Sequence, residues 1–309
     1  MRLVFAGTPT TAVPSLEALV DAGHEIAAVL TRDDAKVGRS RVLTPSPVAA
    51  RADELGLRVI KSNRMSTEVT NEISNLGAEL GVIVAYGALV DEATLEAPSR
   101  GWVNLHFSLL PDLRGAAPAQ RAVMRGDNKT GMTIFQLTAG LDEGPIFATR
   151  LSPIGDDETS GDLLARLAVE GAEFLSETVR ALGAGELTEA AQTGAPTFAP
   201  KLGKRDSAID WSAPSEVVAA HIRGVTPEPG AVAQVDGQPL RILRIARPTD
   251  LSSTPELTPG QLAAAGRDVF VGTGTGPLQL VTVQPAGKKP MSAGDWLRGR
   301  RDAQTLVLA

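Results

Sequence analysis

The sequence predicts two modules: an α/β module on a largely parallel sheet wound by helices, then a smaller all-β module, a barrel or sandwich. Three observations predict this. Through about residue 185, short unbroken apolar runs alternate with stretches of helical periodicity, the pattern of strands covered on both faces. Residues 190–208 carry prolines and glycines without periodicity and read as a linker. Beyond them come one short helical pattern and several strands separated by turn residues. The boundaries so read are 1–189, the linker 190–208, and 209–309.

Each element has its own signal. Arg2–Ala6 reads as a strand, Ala12–Ala22 as a helix closed by Gly23, and Glu25–Thr31 as a strand rich in Ile, Val and Ala. Ser46 followed by Pro47 gives a helix N-cap and a proline at the first helical position, and Gly56 ends that helix. Residues 66–76 read as a helix before Gly77, and Leu80–Ala85 as a fully buried strand. Val103–His106 is a short strand, Pro118–Arg125 a helix stopped by Gly126, and Met132–Thr138 a strand. Thr159 with Asp162 forms a capping box opening a helix that runs to Leu182. In the second module Ser215–Arg223 is helical, and Asp236-Gly237 and the Gly272–Gly276 stretch are turns. Leu278–Gln284 is a strand there, and Ser292 with Asp295 caps a helix over 293–301.

Composition bounds the chemistry. The 309 residues are 43% hydrophobic and 21% charged, an ordinary folded composition. The absence of cysteine excludes disulfides, thiolate zinc sites, iron–sulfur clusters and a cysteine nucleophile. His24, His106 and His221 show no metal-ligand spacing, so no metal is expected. No secretory signal and no membrane-length apolar run is present, so a cytoplasmic protein is expected. Residues 1–200 hold 17 Lys/Arg against 26 Asp/Glu, whereas 201–309 hold 13 against 10. Such an asymmetry fits a polyanion-facing second module, although an ordinary mixed surface gives the same count.

Motifs narrow the field further. Gly7-Thr8-Pro9 follows the first strand but is not G-x-G-x-x-G, and neither a P-loop nor a G-x-S-x-G elbow occurs. A crevice at the carboxyl ends of the strands is still expected. Strand alternation puts Asn104 and His106 on one face, with Leu105 facing the core. An amide donor beside an imidazole at a strand end suits polarisation of a carbonyl oxygen with proton handling, although Asn-x-His also occurs in strands with no such task. Asp142, in the Gly140–Pro145 turn, is a candidate third member that would orient the imidazole and raise its pKa; it equally suits a plain turn.

Segments through nearly the whole chain carry a resemblance. They are Phe5–Pro9, Leu43–Val48, Val84–Gly87, Asn104-x-His106-x-Ser108-Leu109-Leu110-Pro111, and Arg114-Gly115-Ala116-Ala117-Pro118-x-Gln120. They continue with Thr130–Ile134, Gly140-Leu141-Asp142-x-Gly144, Thr197–Leu202, Ile209–Ser212 and Gln284–Ser292. Together they resemble the folate-dependent formyltransferase family, in particular the branch that formylates methionine carried on initiator tRNA. The resemblance implies a Rossmann-like domain that transfers formyl and binds tetrahydrofolate, then an OB-like β-barrel that helps hold tRNA. It implies 10-formyltetrahydrofolate as donor, no metal, and catalysis by Asn104, His106 and Asp142. Ser108, Leu109, Leu110 and Pro111 match the folate-binding segment, and Val84, Tyr86, Gly87 and Leu141 match positions lining the pterin pocket.

The loop Arg32–Leu43 matches the insertion that touches the acceptor stem, so Arg39 and Arg41 are expected on tRNA. Lys288 and Lys289 are expected there too, within a basic cluster completed by Arg298, Arg300 and Arg301. A monomer with no membrane partner is expected. The chain departs from the family pattern at Phe107, Asp112-Leu113, Asp33-Asp34 and Glu228-Pro229. Two other functions are weighed: formylation by the same trio of a small amine such as a ribotide or amino sugar, and RNA binding by a fold that has lost catalysis, against which the intact Asn104, His106 and Asp142 argue. The ribotide enzyme would want a glycine-rich phosphate loop after the first strand and has no use for residues 209–309.

Overall fold

The computed structural model describes residues 1–38, 40–248, 254–300 and 306–309. The chain forms two compact units. The first comprises Met1–Pro118, Thr130–Ser152 and Leu164–Ala199; the second comprises Ala119–Lys129, Pro153–Leu163 and Pro200–Ala309.

In chain order the first sheet and its helices are β1 (Arg2–Gly7), α1 (Val13–Asp21), β2 (Glu25–Thr31), β3 (Ala35–Val37), β4 (Val42–Thr44), α2 (Pro47–Glu54) and β5 (Val59–Lys61). They continue as α3 (Thr67–Ser74), β6 (Leu80–Val84), α4 (Glu92–Leu95), β7 (Trp102–His106), α5 (Pro118–Arg125), β8 (Lys129–Gln136), β9 (Ile146–Pro153) and α6 (Ser160–Ala184), of which α5 from Ala119 on and the first turn of α6 belong to the second unit. The seven-stranded sheet runs β5-β2-β1-β6-β7-β8-β9. Its pairings from β5 to β7 are parallel, and β8 lies antiparallel to β7. The chain moves outward from β1 through β2 to β5, then crosses back to β6 on the other side of β1. That reversal is a switch point, where the carboxyl ends of two neighbouring strands diverge and leave a crevice.

Local chemistry explains where the elements begin. The Ser46 hydroxyl accepts the Ala49 N–H at 3.0 Å and shares a 2.6 Å hydrogen bond with Thr31 Oγ1, fixing α2 to the end of β2. Ahead of α6, the Thr159 N–H donates to Asp162 Oδ2 and the Asp162 N–H donates to Thr159 Oγ1, each at 3.2 Å. Gly81 of β6 lies under the Trp102 indole, where a Cβ would stand 2.1 Å from the ring. Trp102 is fully buried and its Nε1 donates to Thr94 O at 2.7 Å.

Four pieces of the first sheet and its surroundings were not read from the sequence: the exposed β3–β4 hairpin, the three-residue β5, the one-turn α4, and the edge strand β9, whose residues are mostly half-buried or exposed. The linker reading of 190–208 needs correction over its first half. Ala190 exchanges backbone hydrogen bonds of 2.7 and 2.8 Å with Ile146. Arg114 donates to Thr197 O at 2.9 Å and accepts from Ala199 N at 2.7 Å. These bonds are made by backbone groups, which leave no side-chain periodicity to read.

The second unit contains α7 (Ser215–Gly224), β10 (Ala231–Val235), β11 (Gln238–Ala246), β12 (Leu262–Ala265), β13 (Asp268–Val271), β14 (Leu278–Pro285), β15 (Met291–Ser292) and α8 (Ala293–Arg298). Its sheet runs β10-β11-β14-β13-β12, with β15 on β14. The carboxyl-terminal residues join the two edges. Leu306 O accepts from Leu262 N at 3.0 Å, the Leu308 N–H donates to Gly260 O at 2.7 Å, and Ala309 exchanges bonds with Gln234 of β10. A small closed β-barrel results, filled by Trp211, Leu240, Ile242, Leu280, Val283 and Trp296. Ser292 caps α8 as expected, by accepting Asp295 N at 3.0 Å. Among the described residues no helix is long and apolar enough to cross a membrane.

Candidate active site

β7 delivers two of the three candidate catalytic side chains. Asn104 pairs with Ile83 of β6 and Phe135 of β8, and His106 pairs with Thr133. Leu105 faces the other way, with its Cδ2 3.0 Å from where a Cβ on Gly171 of α6 would stand. Asn104 is half-buried, with no side-chain partner among the described residues. Its amide is therefore available to donate. His106 is buried at 6% exposure, and Phe135 meets its ring edge-on at 6.4 Å between centroids.

The tertiary fold brings Asp142 to this pair. Its Oδ2 lies 3.8 Å from His106 Nδ1 and accepts the Gly115 N–H at 2.7 Å. On the opposite side of the ring, Nε2 is 3.0 Å from Leu113 O. A carbonyl only accepts, so the proton of the neutral ring resides on Nε2 and Nδ1 keeps its lone pair. Burial pushes the His106 pKa down from the ordinary 6.5, against upward contributions from Asp142 and the Leu113 carbonyl. This corrects the expected net rise: Asp142 acts in the expected direction, and desolvation outweighs it.

Three non-glycine residues around the pair hold left-handed backbone, Ala85 at φ 49°, Leu113 at φ 59° and Asp142 at φ 48°. Such residues persist only where the surroundings fix them, and they concentrate at functional sites. Here each turns the chain just past a strand or within a loop of the site.

The expected folate segment is placed next to His106, yet its side chains are already committed to the protein. Ser108 Oγ donates to Asp112 O at 2.5 Å. Thr133 Oγ1 donates to Ser108 O at 2.7 Å and accepts the Leu110 N–H at 3.1 Å. Leu109 packs over Gly131, where a Cβ would be 2.4 Å from its Cδ2, and Leu110 is buried ahead of Pro111. The segment therefore presents its shape and backbone rather than free polar side chains. Val84 and Tyr86 are likewise interior; the Tyr86 hydroxyl donates to Ser62 O at 2.8 Å, and burial pushes its pKa up to about 12. Gly87 and Leu141 are exposed, the latter at 53%.

The expected tRNA contacts are distributed over both units. Arg41 is exposed on the β3–β4 turn, while Arg39 lies outside the described residues. Lys288 and Lys289 are exposed in the turn after β14. Arg298 pairs with Asp295, and Arg300 pairs with Asp236 and stands over Trp296; Arg301 lies outside the described residues. Sequence reasoning missed Gln192, which sat in the supposed linker. Its Nε2 donates to Asp142 O at 2.7 Å and Gly144 O at 2.8 Å, and its Oε1 accepts Arg114 Nη2 at 2.7 Å.

This site, on this sheet, defines a class. Residues 1–179 match the formyl transferase family model and residues 201–301 match the model of the formyl transferase C-terminal domain; the chain belongs to the formyl transferase family. Among its relatives is the methionyl-tRNA formyltransferase of Clavibacter sepedonicus, 54% identical over 299 residues, covering 97% of each chain. That of Renibacterium salmoninarum is also 54% identical, covering 97% of this chain and 96% of its own length. Two solved structures share the fold. An N-formyltransferase from Helicobacter canadensis in complex with folinic acid and dTDP-3-aminofucose gives a TM-score of 0.69 at 16% identity, covering 92% of this chain and 98% of that one. HypX from Aquifex aeolicus with tetrahydrofolic acid gives 0.67 at 15% identity, covering 98% of this chain and 47% of that one.

Proposed function

We propose that this chain transfers the formyl group of 10-formyltetrahydrofolate to the α-amino group of methionyl initiator tRNA. The observation that carries this is the meeting of Asn104, His106 and Asp142 at the open end of β7, in a chain whose relatives of about half identity match through both units. Residues 1–189 hold the donor and perform the transfer, and the barrel of 209–309 helps hold tRNA. When bound, the donor supplies an activated formyl carbon. The Asn104 amide donates to the formyl oxygen as charge builds on it, in the manner of an oxyanion hole. The attacking amine must lose a proton. His106 Nδ1, whose lone pair is kept by the Nε2–Leu113 bond, takes it and returns it to the donor nitrogen as the bond from that nitrogen to the formyl carbon breaks and tetrahydrofolate leaves. Protonation there creates a cation facing Asp142 Oδ2 at 3.8 Å, so the carboxylate stabilises the ring when it is charged. Gly87 and Leu141 offer surface to the pterin, with Val84, Tyr86 and Ser108–Pro111 as the frame behind it. Arg39, Arg41, Lys288 and Lys289 are assigned to tRNA phosphates.

Formylation of a sugar amine is the second reading, because a sugar-binding N-formyltransferase shares this fold over nearly its whole length. A formylation assay offering methionyl-tRNA, a ribotide amine and an amino sugar separates the readings. Product on the tRNA alone is expected; product on a small amine alone would overturn the proposal.

A further inference from the structure

The Asp142 turn is held by more than its own carboxylate. Within the first unit, residues 142–144 face the loop 111–117, and three routes join them. One is direct, from Gly115 N–H to Asp142 Oδ2. A second is a long ion pair, Arg114 Nη1 to Glu143 Oε2 at 3.9 Å, with Glu143 half exposed. The third passes through Gln192. Arg114 donates to Gln192 Oε1 from Nη2 at 2.7 Å and from Nε at 3.2 Å, and Gln192 Nε2 donates to Asp142 O at 2.7 Å and Gly144 O at 2.8 Å. The amide therefore uses two donors and one acceptor at once, a pattern only Asn or Gln can supply, and Asn is one methylene too short for this span. Gln192 is itself fixed by its neighbours in sequence, since Ala190 pairs with Ile146 and Phe198 bridges to Arg114. The turn needs holding for a physical reason: Asp142 is a non-glycine residue at φ 48°.

We propose that Gln192 is a positioning residue for the Asp142–His106 pair, fixing the carboxylate relative to the imidazole by tying the backbone of the 142–144 turn to Arg114. This rests on the reading that His106 and Asp142 serve the chemistry. A carboxylate that drifts by an ångström stabilises the protonated ring less, and misplacement on that scale can cost about a hundredfold in rate. Among the described residues Asp142 is the charged group facing His106; the Leu113 carbonyl and the Phe135 ring fill other sides.

The test uses the full chain with Gln192→Glu, which is isosteric and still accepts from Arg114 but presents an oxygen to the two carbonyls, and Gln192→Ala. Each is measured alone and combined with Asp142→Asn. Expected are a kcat roughly 10- to 100-fold lower, KM for tRNA and donor within about threefold, and a His106 titration moved to lower pH by NMR. The double variants should be no slower than Asp142→Asn alone, because both changes remove one interaction. Unchanged kcat and titration in Gln192→Glu, or losses that simply multiply in the doubles, overturn the proposal. An inert Asp142→Asn would overturn the catalytic reading itself; a crippled Asp142→Asn beside an intact Gln192→Glu overturns only the role of Gln192.

Discussion

At the scale of single residues, His106 is governed by a competition. Taking the imidazole out of water disfavours its charged form, whereas Asp142 at 3.8 Å and the Leu113 carbonyl favour it; burial dominates. The ring is therefore neutral at pH 7 and available as a base. Replacing His106 by Ala should lower kcat by about two to four orders of magnitude, the usual scale for a general acid–base group, with methionyl-tRNA binding retained. Turnover near that of the unaltered enzyme would remove His106 from the mechanism. Asp142→Asn keeps both a side chain that tolerates left-handed backbone and an oxygen for Gly115 N–H, but discards the negative charge. The acid limb of kcat/KM and the NMR titration of His106 should both move to lower pH, and an unmoved titration would separate the two residues. Stability follows the same ionisation. The unfolded imidazole takes up a proton near pH 6.5 and the buried one only at lower pH, so its contribution is complete above about 6.5 and is lost as pH falls through the folded value. Denaturation of His106→Gln between pH 7.5 and 5 should accordingly show a shallower loss of stability on acidification.

Among elements, strands carry the site and loops aim it. β7 sets Asn104 and His106 on one face by alternation alone, and its neighbours on both sides fix its register. The loops after β6 and β7 and before β9 each bend through a non-glycine left-handed residue, held by bonds such as Leu113 N–H to Thr197 Oγ1 at 2.9 Å. Helix ends carry ordinary capping energy. Thr159→Ala removes the hydroxyl that accepts the Asp162 N–H and leaves Asp162 without its hydroxyl donor. It should lower stability by about 0.5–2 kcal/mol in urea unfolding, with formyl transfer at 25 °C unchanged. A larger loss of activity than of stability would show that the start of α6 reaches the site.

At the scale of the whole molecule, the tRNA contacts proposed for the second unit rest on its exposed basic residues. Of the basic cluster near the carboxyl terminus, Arg298 and Arg300 are engaged with Asp295 and Asp236, so the exposed Lys288 and Lys289 are the pair best able to meet phosphate. Replacing both with Ala should flatten the dependence of log K on log salt by up to about two, because fewer counterions are released on binding, and should raise the KM for tRNA. Donor binding should stay as it was. An unchanged salt slope would move the phosphate contacts to Arg41 and the rest of the first unit's loop.

Much of this was legible in the sequence, for identifiable reasons. Strands covered on both faces leave continuous apolar runs, and helix starts leave Ser46-Pro47 and Thr159…Asp162, so the central strands and the capped helices could be placed to within a few residues. The pairing of Asn104 with His106 followed from alternation, and the Asp236-Gly237 turn from its residue types. What only the tertiary structure decided depends on groups without side-chain signatures or on long separation in sequence. The Leu113 carbonyl that fixes the His106 tautomer is backbone. Gln192 reaches Asp142 across 50 residues, and the aperiodic stretch containing it is held by main-chain bonds. The direction of the His106 pKa was settled by burial, because a sequence names the neighbouring carboxylate but carries no measure of how much water the fold removes.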